Sequence, residues 1–144
     1  MKIKLKRITD TASTPKHGSA DAAGYDLYAD WPKPLEIMPH ATVKIGTGIA
    51  LEIPKGYFGA VYARSGLATY QKLRPSNCVG VIDSDYRGEI MVALHNDSNK
   101  MARIEPYERI AQLVIQRFEP LEFDEVDKLE ETNRGAGGFG STGK

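Results

Sequence analysis

The sequence predicts an all-β domain, a sandwich or barrel of many short strands, on three observations. Apolar residues recur at every second position in several separate stretches, the period of a half-buried strand. Gly, Pro, Asn and Asp clusters punctuate those stretches at short intervals. Only Ser65 to Leu73 has the character of a helix, and it is short.

The elements follow in order. Lys2 to Arg7 alternates charge with Ile3 and Leu5 and reads as a strand. Thr11 to Asp21 is a polar loop, Gly24 to Ala29 a short extended piece, and Trp31, Pro32 and Pro34 break the pattern. Thr42 to Ile53 carries Val43, Ile45, Ile49, Leu51 and Ile53 at mostly even spacing, with Gly46 and Gly48 as bulge candidates. Pro54-Lys55-Gly56 is a turn, and Tyr57 to Ala63 another strand. Val79 to Ile82 is an apolar run, Asp83 to Gly88 a tight connection, and Glu89 to His95 alternates again. Met101 to Ile104 and Ile110 to Phe118 complete the strands. From Glu119 the pattern gives way to acidic residues, and Arg134 to Lys144 is mostly glycine and small polar residues, too poor in apolar side chains to form a core.

At 144 residues the chain has the length of one domain and can bury a core without disulfides. Its 19 basic and 19 acidic side chains balance, and no basic stripe marks a nucleic-acid surface. A small phosphorylated ligand needs only a few cations and backbone N–H groups, so it stays within reach. The single cysteine, Cys78, forms no disulfide within the chain and fits a reducing compartment. The opening residues have no signal-peptide core, and no apolar run has membrane-spanning length. His17, His40 and His95 match no metal-ligand spacing and read as structural or solvated.

Five stretches carry candidate chemistry. The tail Arg134-Gly135-Ala136-Gly137-Gly138-Phe139-Gly140-Ser141-Thr142-Gly143-Lys144 joins glycines, which let N–H groups approach phosphate, to an arginine fork, two hydroxyls and one aromatic suited to a flat ring. A plain mobile tail is the alternative. Gly138 to Lys144 matches the start of a phosphate-loop pattern, but the required Ser/Thr and helix do not follow, so that reading is rejected. In Gly80-Val81-Ile82-Asp83-Ser84-Asp85-Tyr86-Arg87-Gly88 an apolar strand delivers Asp83 to its end, where partial burial would make it a better base. An extended backbone there would put Asp83 and Asp85 on one side, whereas a plain hairpin turn with solvated carboxylates fits as well. Ala63-Arg64-Ser65-Gly66-Leu67-Ala68 reads as an anion site or as an ordinary helix start with Ser65 as N-cap. Asp26 in Ala23-Gly24-Tyr25-Asp26-Leu27 suits a magnesium-bound water or a plain surface strand. Glu108 to Leu113 is a strand in which Arg109 and Gln112 are structural unless something else points at them.

Together and in this order, AGYDLYA (Ala23 to Ala29), RSGLA (Arg64 to Ala68), NCVGVIDSDYRGE (Asn77 to Glu89), ERIAQLV (Glu108 to Val114) and RGAGGFGSTG (Arg134 to Gly143) resemble the five motifs of the trimeric dUTP pyrophosphatase (dUTPase) family. The resemblance implies a jelly-roll-like fold with one short helix, a catalytic domain over residues 1–133 and a flexible C-terminal arm over residues 134–144. It implies a homotrimer, with each active site shared between subunits and closed by a neighbour's arm, and dUTP and Mg2+ as substrate and cofactor. Asp83 is the implied base that activates water against the α-phosphorus, and Asp26 holds magnesium through water. Arg64, Ser65, Gly66 and Gln112 bind phosphate. Asn77, with the hairpin backbone at Val79, Val81 and Met91, reads uracil, and Tyr86 packs on the deoxyribose. Arg134 grips the outer phosphates, Phe139 covers uracil, and Gly140, Ser141 and Thr142 close over the phosphates. The implied location is cytoplasmic, or the host-cell interior for a viral protein.

Two positions depart from the family pattern. Ala63 replaces a frequent proline, which predicts a looser turn. Tyr107-Glu108 replaces a common Gly-Asp, which predicts a different local turn because tyrosine resists positive φ. The rival enzyme reading is a dCTP deaminase, which resembles this family in fold and would be told apart by ammonia release from dCTP. A nucleotide-switched protein-binding module and a purely structural β-module are the readings outside that class.

Overall fold

The computed structural model describes residues 1–138. Among the described residues, twelve strands wrap one apolar core in a jelly-roll-like arrangement. They are β1 (Lys4–Arg7), β2 (Lys16–His17), β3 (Tyr25–Tyr28), β4 (Leu35–Ile37), β5 (Thr42–Gly46), β6 (Ile49–Glu52), β7 (Tyr57–Tyr62), β8 (Leu73–Pro75), β9 (Gly80–Ile82), β10 (Met91–Asn96), β11 (Ala102–Ile104) and β12 (Arg109–Arg117). The largest sheet runs β2-β3-β12-β7-β9. The others are β5-β10-β8, β1-β6 and β11-β4, and all pairings are antiparallel.

Period-two patterning explains which way each strand faces. In β10, Val92, Leu94 and Asn96 point inward while Met91, Ala93 and His95 point out. The inward residues join Leu27, Ile37, Ile45, Ile49, Ile90, Ile104 and Ile110, all essentially sealed from solvent. Asn96 is the polar member. Its amide donates to the carbonyls of Ile37 (2.9 Å) and Lys100 (2.8 Å), and its oxygen accepts from the Ser98 N–H (2.9 Å). Nothing in the sequence pattern distinguishes it from a turn asparagine.

The long alternating stretch Thr42 to Ile53 is two strands in two sheets. At Gly48, with φ +65°, the chain leaves the β5 sheet and enters the pairing with β1, so the glycines mark a crossing and not a bulge. The turn after it is as expected: the Tyr57 N–H bonds the Pro54 carbonyl (3.1 Å) around Gly56 at φ +82°. The short helix (Leu67–Gln71) is π-wound, with the Lys72 N–H reaching back to the Leu67 carbonyl, and Lys72 in a left-handed conformation ends it. Three strands were not legible. β2 lies within the polar loop, β4 follows the proline pair, and β8 holds Pro75, which an edge strand tolerates.

Tyr107 corrects one expectation. It adopts φ +57°, and the Glu108 N–H bonds the Glu105 carbonyl (3.1 Å), so Glu105-Pro106-Tyr107-Glu108 is a turn with positive φ at its third residue. The tyrosine adopts the left-handed conformation and carries its strain. Beyond Arg117 no strand occurs among the described residues, and Leu121, Phe123 and Leu129 stand exposed there. No helix of the described residues is long and apolar enough to cross a membrane.

Candidate active site

The register of the largest sheet builds the first cleft. Lys16 on β2, Asp26 on β3, Gln112 on β12 and Tyr62 on β7 are successive cross-strand partners, so their side chains share one face. Asp26 is 15% exposed and each of its oxygens meets a different arginine. Oδ1 accepts from Arg64 Nε (2.9 Å) and Oδ2 from Arg109 Nη1 (3.1 Å). Two cations against one carboxylate leave the cleft with a positive excess. Arg64 Nη1 also donates to the Arg109 carbonyl (3.2 Å), and the rest of its fork remains for a ligand. Gln112 donates to the Ala63 carbonyl (2.9 Å), which ties the strand end before Arg64 to β12 despite the missing proline. A Cβ on Gly24 would sit 2.3 Å from Gln112 Oε1, so only glycine lets that amide lie against the backbone. The resulting cleft of about 530 Å³ is bordered by Ser65, Tyr62 and Gln116 as well.

Ser65 is exposed at its rim, and Gly66 after it is exposed as well. Gly66 stands at the helix cap with no side-chain capping bond, so the N-cap alternative for Ser65 does not apply. Arg109, left as structural by the sequence, belongs to the cleft; its partner Asp26 was the signal that only the fold could supply.

The second region is the hairpin between β9 and β10. The Tyr86 N–H bonds the Asp83 carbonyl (3.2 Å), which makes Asp83-Ser84-Asp85-Tyr86 a turn. Two expectations fail here for that reason. Asp83 and Asp85 do not share a side through an extended backbone, and Asp83 is exposed because the turn carries it beyond the sheet. Arg87 Nη1 stiffens the tip by donating to the carbonyls of Ser84 (2.7 Å) and Tyr86 (2.9 Å). Two adjoining clefts flank the hairpin. One, of about 210 Å³, holds Asn77, Val81 and Met91. The other, of about 300 Å³, holds Asp83, Tyr86, Glu89 and Lys44. Val79 is exposed beside Cys78, which has φ +62°.

The two regions lie apart within one chain. Asp26 and Asp83 are separated by three strand spacings across the sheet and four residues along it, roughly 20 Å at ordinary strand dimensions. Arg134 is exposed, with Nε donating to the Gly137 carbonyl (2.9 Å), and touches neither region. Phe139, Gly140, Ser141 and Thr142 lie outside the described residues. No cluster of three His, Cys, Asp or Glu suited to a metal occurs among the described residues. Of the histidines, His40 bonds Asn99 (2.8 Å), His95 bonds Thr42 (2.9 Å), and His17 lies against Tyr25.

A jelly-roll-like fold with a cationic cleft on one side and a carboxylate-bearing hairpin on another defines an all-β, anion-binding protein. Comparison with known proteins narrows the class. The family model described as dUTPase matches residues 10–143. The deoxyuridine 5'-triphosphate nucleotidohydrolase of Nautilia profundicola is 46% identical over 144 residues, covering 100% of both chains. That of Orientia tsutsugamushi is 42% identical over 99% of each. Among solved structures, the dUTPase of Staphylococcus bacteriophage 80alpha with dUpNHpp aligns with a TM-score of 0.89 at 28% identity over 99% of each chain. The chain belongs to the dUTPase family.

Proposed function

We propose that the chain hydrolyses dUTP to dUMP and pyrophosphate, at centres each assembled from different copies in a homotrimer. The observation that carries this reading is the separation of the cationic cleft from the Asp83 hairpin within one chain. A nucleoside triphosphate needs both, and another copy can bring the missing half. Exposed Leu121, Phe123 and Leu129 offer apolar surface that association would bury.

Each residue then has a task. Asn77 and the backbone at Val79, Val81 and Met91 read the uracil edge. Tyr86 packs on the deoxyribose and leaves no room for a 2′-hydroxyl. Asp83 accepts a proton from water as its oxygen bonds the α-phosphorus, and the bond from that phosphorus to the bridging oxygen breaks to release pyrophosphate. Arg64, Ser65, Gly66 and Gln112 hold phosphate oxygens in the cationic cleft, where charge builds in the transition state. Arg134 and the arm over residues 134–144, with Phe139, Gly140, Ser141 and Thr142, close the centre and exclude water once substrate is present.

The donor set fits magnesium carried in on the triphosphate. One carboxylate, Asp26, supplies hard oxygen in the cleft with lone pairs left beyond its two arginine bonds. No cluster that would hold a resident ion accompanies it among the described residues. Held by Asp26 through water, magnesium would compensate phosphate charge and fix one triphosphate conformer. In the cell the reaction supplies the precursor of dTTP and keeps uracil out of DNA.

Pyrophosphate release from dUTP, UTP, dCTP and dTTP, with magnesium and with chelator, tests the reading. Rapid, metal-dependent release from dUTP alone is expected. Equal release from all four, or none from dUTP, would remove the assigned function while leaving the fold in place.

A further inference from the structure

Glu89 has no place in the chemistry above, yet it joins the hairpin to the β5–β6 crossing. Its backbone carbonyl accepts the Tyr86 hydroxyl (3.0 Å). Its carboxylate accepts the Gly48 N–H through Oε1 (2.8 Å), at the crossing from β5 to β6. The next residue is clamped to the same crossing. The Ile90 carbonyl accepts the Thr47 hydroxyl (2.6 Å), and the Ile90 N–H donates to the Ile49 carbonyl (2.8 Å).

The glycines around this joint leave it room. A Cβ on Gly46 would stand 2.4 Å from Glu89 Oε1, so the carboxylate lies where an alanine methyl would be. A Cβ on Gly88 would stand 2.4 Å from the Tyr86 hydroxyl oxygen and 2.6 Å from the ring carbon that bears it, so the ring lies across bare backbone. Neither glycine has positive φ, so both are explained by the close approach and not by backbone conformation.

We propose that Glu89 is a positioning residue for sugar selection: it straps the Tyr86 ring to the rigid β5–β6 crossing and so fixes the wall against which a 2′-hydroxyl collides. The inference rests on the reading of Tyr86 as the residue that packs on the deoxyribose. A half-exposed tyrosine on a turn has several rotamers within reach, and each that moves the ring outward opens space for a ribose. The bond from the Tyr86 hydroxyl to the Glu89 carbonyl excludes them only if Glu89 itself is fixed. The Ile90 N–H of the same peptide unit is held by the Ile49 carbonyl, and the Glu89 carboxylate bond to the Gly48 N–H at the crossing holds the residue from its other side. The acceptor oxygen carries the effect, not the charge, so glutamine would serve in its place.

The test is the ratio of kcat/KM for dUTP to that for UTP in five full-length proteins: the wild type, Glu89→Ala, Glu89→Gln, Gly46→Ala and Tyr86→Ala. Tyr86→Ala should collapse the ratio. Glu89→Ala should lower it about tenfold, the scale of one hydrogen bond, mainly through a gain on UTP. Gly46→Ala, which displaces the carboxylate without removing it, should do the same, and Glu89→Gln should keep the wild-type ratio. A merely structural Glu89 would lower turnover of both nucleotides and leave their ratio alone. If Glu89→Ala fails to fold, Gly46→Ala carries the test by itself. A wild-type ratio in Glu89→Ala or Gly46→Ala, alongside a collapse in Tyr86→Ala, overturns the strap and leaves the role of Tyr86 standing. So does a loss in Glu89→Gln equal to that in Glu89→Ala. A wild-type ratio in Tyr86→Ala overturns the reading of Tyr86, and the strap with it.

Discussion

Asp26 shows how much a single carboxylate organises here. With an arginine on each oxygen, it fixes the directions of two guanidinium groups that would otherwise sample many rotamers. Asp26→Asn keeps the size but loses one acceptor and the charge. It should raise the KM for dUTP and the magnesium requirement together, as read from activity against magnesium concentration. Asp83→Asn tests a different step: turnover should fall roughly a hundred- to ten-thousand-fold with nucleotide affinity retained, because only proton acceptance is lost. Normal turnover with weak binding would count against Asp83 as the base. Tyr107, held at φ +57°, gives a prediction of opposite sign. Tyr107→Gly relieves the left-handed strain but frees the unfolded chain, so thermal unfolding should show stabilisation of up to about 1 kcal/mol.

Elements were legible where one pattern governed them. β5 and β10 could be read because their alternation reflects burial on one side, and β6, β7 and β12 because apolar residues dominate them, although each buries consecutive residues. β2, β4 and β8 were hidden because two or three residues give no period, and their pairing is imposed by the strands beside them. The candidate site divides the same way. Its residue types stood in the sequence, whereas Arg109 became part of it only through the register that sets β12 beside β3. Burial of Asp83, expected from the apolar run before it, is not supplied by its own chain, because the turn lifts it past the sheet edge. At the edge of the β5-β10-β8 sheet, Arg74 donates to Asp97 (2.7 Å). That hydrogen bond holds the Asp97 carboxyl below its ordinary value, with burial opposing it and the charges of Arg74, His95 and His40 assisting. A carboxyl pKa depressed by folding contributes stability above its ordinary value and loses it as pH falls through the folded one. Asp97→Asn should therefore be less stable than the wild type at neutral pH in denaturant titrations, and the gap should close in acid.

For the whole molecule, the separation of the two clefts matters more than any one residue. Deleting the segment after Asn133 should leave a folded assembly with crippled dUTP turnover, measured by sedimentation and pyrophosphate release. A fully active truncation would contradict closure by the arm. The core itself depends on its buried polar joint: Asn96→Ala strands the carbonyls of Ile37 and Lys100, and should cost about 3 kcal/mol in chemical denaturation.

Mixing two inactive variants examines the division of labour between copies. Asp83→Asn lacks the base and Arg64→Ala lacks a phosphate ligand, so each alone should be nearly inactive. If the base and the phosphate cleft of one centre come from different chains, co-expression creates mixed trimers in which some centres combine the two intact halves. Random assembly predicts recovery of about a quarter of the wild-type activity per centre. Activity no higher than that of the separate variants would mean that both halves serve substrate from the same chain, and would contradict a centre built between subunits.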